Sequence, residues 1–147
     1  MSGKELTRTI EIHGTPDKCY RKICDFESYP KWQSAVQYAK VLKKDKNGKP
    51  KEVEFKISVL GKEIRYVLSY SYDDKNHRLT WSYVEGDVKD VKGSYTFEKI
   101  DKDKTLATFT AYVDPGFWVP GPIINTLNNV AMKKSMEELK DAVEGKA

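Results

Sequence analysis

The stretch GPIINTLNNVAMKKSMEELKDAVE, Gly121 to Glu144, decides the fold. Its charged residues Lys133, Lys134, Glu137, Lys140 and Asp141 are separated from apolar and small residues that recur at roughly helical spacing: Ile124, Leu127, Ala131, Ser135, Leu139 and Val143. The spacing predicts one long amphipathic helix that turns its charges outward. This is the only predicted helix long enough to cover a broad sheet.

The region before this helix, from Val36 to Val113, predicts six antiparallel strands. Alternating apolar and polar residues are interrupted about every dozen positions by turn-forming sequences, which are DKNGKP at 45–50, LG at 60–61, DDKNH at 73–77, EGDVKD at 85–90 and DKDK at 101–104. The alternation places Glu52, Glu54 and Lys56 on the outer face. A further strand is predicted for ELTRTIEIH at 5–13.

Two short helices are predicted after this first strand. The sequence TPD at 15–17 supplies an N-cap, a first-turn proline and an early acid, which predict a helix through about Asp25. The next stretch, DFESYPKWQ at 25–33, contains a proline that interrupts regular helix. We expect a kink or a second short helix there, with its aromatic residues Phe26, Tyr29 and Trp32 turned inward.

The order of these elements predicts a single α+β domain over residues 1–147, with a curved seven-stranded antiparallel sheet around the C-terminal helix. A strongly curved sheet and one helix often leave a space between them. Tyrosine hydroxyls on the inward face need partners that a ligand or water can supply, although tyrosine is also common in strands by propensity alone. We expect a hydrophobic ligand there, contacted by Tyr66, Tyr70, Trp81, Tyr83, Tyr95, Phe109, Phe117, Trp118, Leu127 and Ala131.

The sequence VDPGFWVPGPIINTL at 113–127 joins the last predicted strand to the long helix. Its apolar residues would lie at one rim of a cavity, and Gly116 and Gly121 would let them move as a gate. Alternatively, the prolines only end the strand and start the helix, while Phe117 and Trp118 fill the core. The residues do not distinguish these two interpretations.

The amino-acid composition argues against several other classes of protein. The net charge of +4 arises from 26 basic and 22 acidic residues spread along the chain, which does not favour nucleic-acid binding. No apolar run is long enough for a membrane span and the beginning resembles no secretory signal, so we expect a cytoplasmic protein. Cys19 and Cys24 are expected to be free thiols.

Candidate catalytic residues are few. His13 and His77 belong to no metal-binding pattern, and no nucleophile elbow or phosphate loop occurs, so we expect no metal, cofactor or catalytic residue. An aldol-type cyclase would need proton donors such as Tyr66, Tyr70 and Tyr83. The alternation turns Arg65 and Arg78 outward, and the inward face offers no acid or base, so binding is favoured over catalysis.

Three stretches resemble the START-related, Bet v 1-like superfamily, and in particular its polyketide cyclase/dehydrase and lipid-transport group, which includes coenzyme Q-binding proteins. They are TPDKCYRKICDFESYPKW at 15–32, LTWSYVEGDVKDVKGSYTFE at 79–98, and GFWVPGPIINTLNNVAMKKSMEELKDAVE at 116–144. The resemblance implies a helix-grip fold with an apolar cavity. Asp25, Tyr29, Pro30 and Trp32 match the group's corner motif, and Gly93 matches the glycine of its GxYxFE-like strand.

The resemblance leaves the ligand open, because members bind sterols, lipids, quinones, hormones or polyketides, and a minority catalyse cyclisation or dehydration. One branch resembles a ribosome-associated growth inhibitor, so a protein-interaction role is a third hypothesis. Six lysines in KVLKKDKNGKPK at 40–51 are the feature that would support it. A solvated turn explains them more simply, and brief contact with an anionic membrane surface is a further possibility.

Overall fold

The computed structural model describes residues 5–59, 61–116 and 120–146, without the side chains of Val59, Ile124, Asn125 and Leu127. The elements follow in the order β1 (Leu6–His13), α1 (Pro16–Cys24), a 3₁₀ turn (Phe26–Ser28), α2 (Tyr29–Trp32), β2 (Val36–Lys44), β3 (Pro50–Val59), β4 (Lys62–Asp73), β5 (Arg78–Gly86), β6 (Asp90–Asp101), β7 (Lys104–Asp114) and α3 (Gly121–Glu144). The predicted α+β class and element order are confirmed.

The strands form one antiparallel sheet in the order β1-β7-β6-β5-β4-β3-β2. Consecutive strands pair as neighbours from β2 to β7, whereas β1 pairs with β7, from Leu6 opposite Ala111 to His13 opposite Lys104. The main neighbours of α3 are β1, α1 and α2. This arrangement confirms the helix-grip fold with seven strands around the C-terminal helix.

Local signals set the beginning and end of α1. Thr15 is its N-cap, and the Thr15 hydroxyl accepts a hydrogen bond from the Lys18 amide at 3.2 Å. Pro16 occupies the first turn, where its missing N–H leaves no donor unpaired. Cys19, Tyr20 and Ile23 are buried, and both cysteines are free as predicted.

The aromatic corner after α1 turns inward as predicted. Phe26, Tyr29 and Trp32 are 1%, 8% and 8% exposed. The rings of Phe26 and Tyr70 lie 4.3 Å apart, and the Trp32 indole donates a hydrogen bond to the Ser28 hydroxyl at 3.1 Å. These contacts attach the corner to the concave face of the sheet.

The buried stripe of α3 differs in part from the predicted one. Leu139 and Val143 are buried as expected, but Ala131 is exposed and Ser135 is half-buried. Met132 and Met136 are buried in addition, at 5% and 1% exposure. The stripe is broader because α3 is contacted by both β1 and the N-terminal helices, whereas the prediction assumed contact on one side. Within the described part of the chain, no helix is both long and apolar enough to cross a membrane.

The two halves of α3 have different surroundings. The C-terminal half packs against a solid core, in which Ile12, Ile23, Phe97 and Leu139 are at most 2% exposed. The N-terminal half faces open space between the helix and the sheet, and this space is the candidate site.

Candidate ligand-binding cavity

A cavity of about 260 Å³ lies between the concave face of the sheet and the N-terminal half of α3. All seven strands, α1, the corner after it, and α3 contribute to its wall. The lining is mainly aromatic and aliphatic, and includes Ile23, Tyr29, Val36, Phe55, Ile57, Tyr66, Leu68, Tyr70, Leu79, Trp81, Val91, Tyr95, Phe109, Val113 and Met132. The fold therefore leaves the space that the aromatic face predicts.

The structure brings most of the described candidate residues to this cavity: Tyr66, Tyr70, Trp81, Tyr95, Phe109 and Ala131 line it. Tyr83 lies outside the lining, because its hydroxyl donates a hydrogen bond to the Val88 carbonyl at 2.6 Å near the end of β5. Phe117, Trp118 and the side chain of Leu127 lie outside the described residues, so the gate remains a prediction. Whether the lining residues contact a ligand also remains a prediction.

The aromatic wall is a continuous set of ring contacts across β4 to β7. Trp81 lies at its centre, with ring centroids 6.2 Å from Tyr70, 6.0 Å from Tyr95 and 5.9 Å from Phe109. Tyr95 and Phe109 are cross-strand partners, and their rings are stacked with centroids 4.5 Å apart. Such ring contacts stabilise the wall beyond the apolar area that they bury.

Gly93 makes room for the indole of Trp81. The two residues are cross-strand partners on β6 and β5. A Cβ atom at position 93 would lie 2.6 Å from Trp81 Cζ2, closer than real Cβ contacts allow. The glycine that matches the family motif thus lets the largest ring of the wall lie flat against the sheet.

A small polar group is set into this apolar lining. Gln33, just after α2, donates a hydrogen bond from Nε2 to Ser135 Oγ on α3 at 2.9 Å, and both residues line the cavity. The Tyr95 hydroxyl is buried and has no hydrogen-bond partner among the described residues. Sequence reasoning missed Gln33, but Ser135 lies on the predicted inner stripe of α3, where a hydroxyl between apolar residues was the available signal.

Burial keeps the cavity phenols protonated. It raises the pKa of Tyr66 to about 12 and is the main cause that places the pKa of Tyr70 well above its ordinary value. Burial also raises the pKa of Tyr95, and the nearby Ser135 hydroxyl offsets part of that rise. These groups therefore donate hydrogen bonds at neutral pH and are poor bases.

The cavity reaches the surface at one end of the sheet. Its lining there includes the exposed Ala131 beside the half-buried Leu6 and Asn128. This end, which we call the mouth, is where β1 begins and where the connection from β7 to α3 starts and ends. The predicted gate sequence thus joins elements that border the mouth.

The two arginines, Arg65 and Arg78, lie outside the cavity. Arg65 is on the outer face, where it forms ion pairs with Glu54 at 2.6 Å and Glu85 at 3.0 Å. Arg78 bonds the Thr96 hydroxyl at 3.3 Å on the same face. Among the described residues, no group of three or more histidine, cysteine or acidic side chains is arranged to hold a metal ion.

The basic hairpin of residues 40–51 is partly neutralised within the molecule. Lys49 forms an ion pair with Asp74, and its ammonium lies 5.1 Å from the centre of the Tyr72 ring. Lys43 pairs with Glu52 at 3.8 Å. Intramolecular pairing favours a solvated hairpin over a basic docking surface.

Comparison with known structures shows the same architecture in proteins of low sequence identity. A START superfamily protein from Mycobacterium smegmatis superposes with a TM-score of 0.92 at 19% identity, covering 99% of this chain and 100% of that one. A protein from Thermus thermophilus has a TM-score of 0.80 at 20% identity, with 97% and 96% coverage. The Zhui aromatase/cyclase from Streptomyces sp. R1128 has a TM-score of 0.84 at 12% identity, with 96% and 93% coverage.

No curated protein matches this sequence. The family model described as polyketide cyclase/dehydrase and lipid transport matches residues 4–144, nearly the whole chain. The expected resemblance is confirmed: the chain belongs to the polyketide cyclase/dehydrase and lipid transport family.

Proposed function

We propose that this protein binds a hydrophobic small molecule between the sheet and α3, as one ligand-binding domain in the cytoplasm. The observation that carries the proposal is the cavity of about 260 Å³ with stacked aromatic walls. Burying the apolar surface of a ligand there contributes about 25 cal/mol per Å² to the binding free energy, and no ion pair is needed. Transport of the bound molecule is part of the proposal, and so is brief contact with a membrane during delivery.

The size of the cavity limits the range of ligands that it can enclose. Its volume lies just below the roughly 300–1,000 Å³ typical of small-molecule sites. It therefore encloses a compact molecule of a few rings, or one end of a longer lipid, isoprenoid quinone or polyketide. The remainder of a long ligand would leave through the mouth beside Leu6 and Ala131.

An enzymatic role is the second candidate, favoured by the phenol hydroxyls inside the cavity. Tyr66 and Tyr95 would polarise a ligand carbonyl as a cyclisation or dehydration requires. However, the described lining contains no carboxylate and no imidazole, and the raised pKa values keep the phenols protonated, so no phenolate is present at neutral pH to accept a proton. Binding is therefore the better-supported function, and turnover of a poly-ketone that Tyr66→Phe abolishes would reverse this preference.

Native mass spectrometry of freshly purified protein tests the binding proposal. We expect a stoichiometric adduct that organic extraction releases as a single lipid-like species. In Ala111→Trp the indole would project into the cavity, and the adduct should be lost.

Thr108→Trp is the matched control, because position 108 alternates with Ala107 and Phe109 and so lies on the outer face of β7. This variant should keep the adduct. Absence of any adduct in the wild-type protein, together with no binding of added hydrophobic probes, would refute the proposal.

A further inference from the structure

The polar cluster of Gln33, Tyr95 and Ser135 is an exception in an otherwise apolar cavity. Tyr95 is only 3% exposed, yet its hydroxyl has no hydrogen-bond partner among the described residues. Buried polar groups are nearly always paired, so an unpaired one at a cavity wall indicates a missing partner in the cavity. Gln33 follows α2, Tyr95 lies on β6 and Ser135 lies on α3. Only the tertiary fold brings the three residues together.

The orientation of Tyr95 is fixed by its neighbours. Its ring is stacked on Phe109 with centroids 4.5 Å apart and on Phe97 with centroids 5.6 Å apart, at interplanar angles of 10° and 8°. Rotating the whole side chain about χ1 to bring the hydroxyl to another acceptor would break both stacks. The hydroxyl is therefore held toward the cavity, where Tyr95 contributes to the lining.

The donors and acceptors of this cluster indicate the chemistry of the missing partner. Ser135 Oγ accepts from Gln33 Nε2 at 2.9 Å, and the Ser135 proton is left for an oxygen in the cavity, because the neighbouring Tyr95 hydroxyl forms no hydrogen bond of regular geometry with it. The Tyr95 hydroxyl has a free proton as well. Two O–H donors match an oxygen with two lone pairs and no proton of its own, and a carbonyl oxygen is such an acceptor.

The surroundings favour a neutral acceptor over an anion. Among the described lining residues, only Lys92 carries a formal charge, and its ammonium lies on the outer face of the sheet, 5.0 Å from the centre of the ring of its cross-strand partner Tyr112. A carboxylate beside Tyr95 would thus be buried without a cation, which is strongly unfavourable. A ketone, ester or amide oxygen needs no such compensation.

We propose that the hydroxyls of Tyr95 and Ser135 bind the carbonyl oxygen of a neutral, otherwise apolar ligand, and that Gln33 positions Ser135. This inference rests on the proposed binding function, since it names the chemical group that the same cavity recognises. It assigns an orientation to the ligand: the carbonyl end lies under α3 and the apolar remainder lies along the aromatic wall.

The test compares two probes of nearly the same shape, 2-acetylnaphthalene and 2-isopropenylnaphthalene, by isothermal titration calorimetry. The first has a carbonyl oxygen where the second has a methylene group. The ratio of their Kd values therefore measures recognition of the carbonyl oxygen. We expect the wild-type protein to bind the ketone about tenfold more tightly, as two neutral hydrogen bonds allow. In Tyr95→Phe and in Ser135→Ala this preference should fall several-fold, with binding of the alkene kept.

Tyr72→Phe is the control, because the Tyr72 hydroxyl donates to the Pro50 carbonyl and Tyr72 does not line the cavity. It should leave the preference unchanged. A stability readout separates recognition from a structural role: Tyr95→Phe should have a Tm at least equal to that of the wild type, because the removed hydroxyl loses no protein partner.

The outcomes distinguish the two proposals. Equal Kd values for ketone and alkene in the wild type, or a preference that survives both Tyr95→Phe and Ser135→Ala, would overturn the carbonyl inference and leave the binding function intact. If neither probe binds, the carbonyl inference is overturned, and the binding function falls with it only if native mass spectrometry of the purified protein also shows no adduct.

Discussion

Substituting Gly93 by alanine should both destabilise the protein and disturb the cavity. Gly93 lies on β6 between Trp81 on β5 and Ala111 on β7. A Cβ atom there would lie 2.6 Å from Trp81 Cζ2 and closer still to the Thr110 carbonyl oxygen, whereas ordinary contacts lie at 3.4–4 Å. The Trp81 ring must therefore move by roughly 1 Å, and the carbonyl belongs to a paired strand that cannot retreat easily.

Two opposing effects determine how much stability Gly93→Ala loses. Overpacking of this kind costs about 1–3 kcal/mol. Replacing glycine also reduces the entropy of the unfolded chain, which offsets about 0.4–1 kcal/mol. The expected net loss in the free energy of unfolding is about 1–2 kcal/mol. Because Tyr70, Tyr95 and Phe109 surround the indole, Trp81 moves into the cavity, so ligand binding weakens as well.

Urea denaturation and probe binding measure the two effects on Gly93→Ala. Gly48→Ala is the control, because a Cβ there has no neighbour within 4 Å but its φ of +82° strains any other residue. The control should lose stability through backbone strain and keep full binding. If Gly93→Ala unfolds at the wild-type urea concentration and binds the probe normally, the steric reasoning about Trp81 is wrong.

Two further predictions concern stability. Burial alone would raise the pKa of Glu144, but hydrogen bonds from the Lys140 ammonium and the His13 amide outweigh it and hold the pKa at about 2, below the ordinary 4.5. Its contribution should be complete above pH 4.5 and be lost as the pH falls to about 2, and Glu144→Gln should flatten this dependence in urea titrations at several pH values. Leu139→Ala, at a fully buried position, should cost about 2–5 kcal/mol in urea denaturation, whereas Leu42→Ala, 43% exposed, should change stability by about 0.5 kcal/mol or less. Equal effects of the two leucine substitutions would contradict the assigned core, and an unchanged acid dependence in Glu144→Gln would contradict the assigned role of Glu144.

Much of the fold was predictable because its signals are local. Turn sequences such as DKNGKP interrupt the alternation wherever a strand ends, and TPD at 15–17 caps α1 through contacts within a few residues. The two-residue period then places Tyr66, Tyr70, Trp81, Tyr95 and Phe109 on one face. Alternation within a strand depends only on the backbone, so it survives whatever the strand packs against.

The candidate site was less predictable because it depends on distances between elements. Tyr83 has the same period as Trp81 but lies outside the cavity, since its hydroxyl reaches the Val88 carbonyl. The stripe of α3 includes Met132 and Met136 because helices and β1 contact it on different sides. The local sequence pattern predicts neither of these two features.

By itself, the sequence determined the seven strands, the three helices and the aromatic character of the concave face, since each follows from residues that are near neighbours in the chain. Only the tertiary structure decided that those aromatic residues surround a space of about 260 Å³ and that Gln33, Tyr95 and Ser135 meet at its wall. The physical reason is that an open space depends on the separation between a curved sheet and a helix joined by distant contacts. Lining a cavity and filling one require the same residues, and the difference appears only when the elements pack.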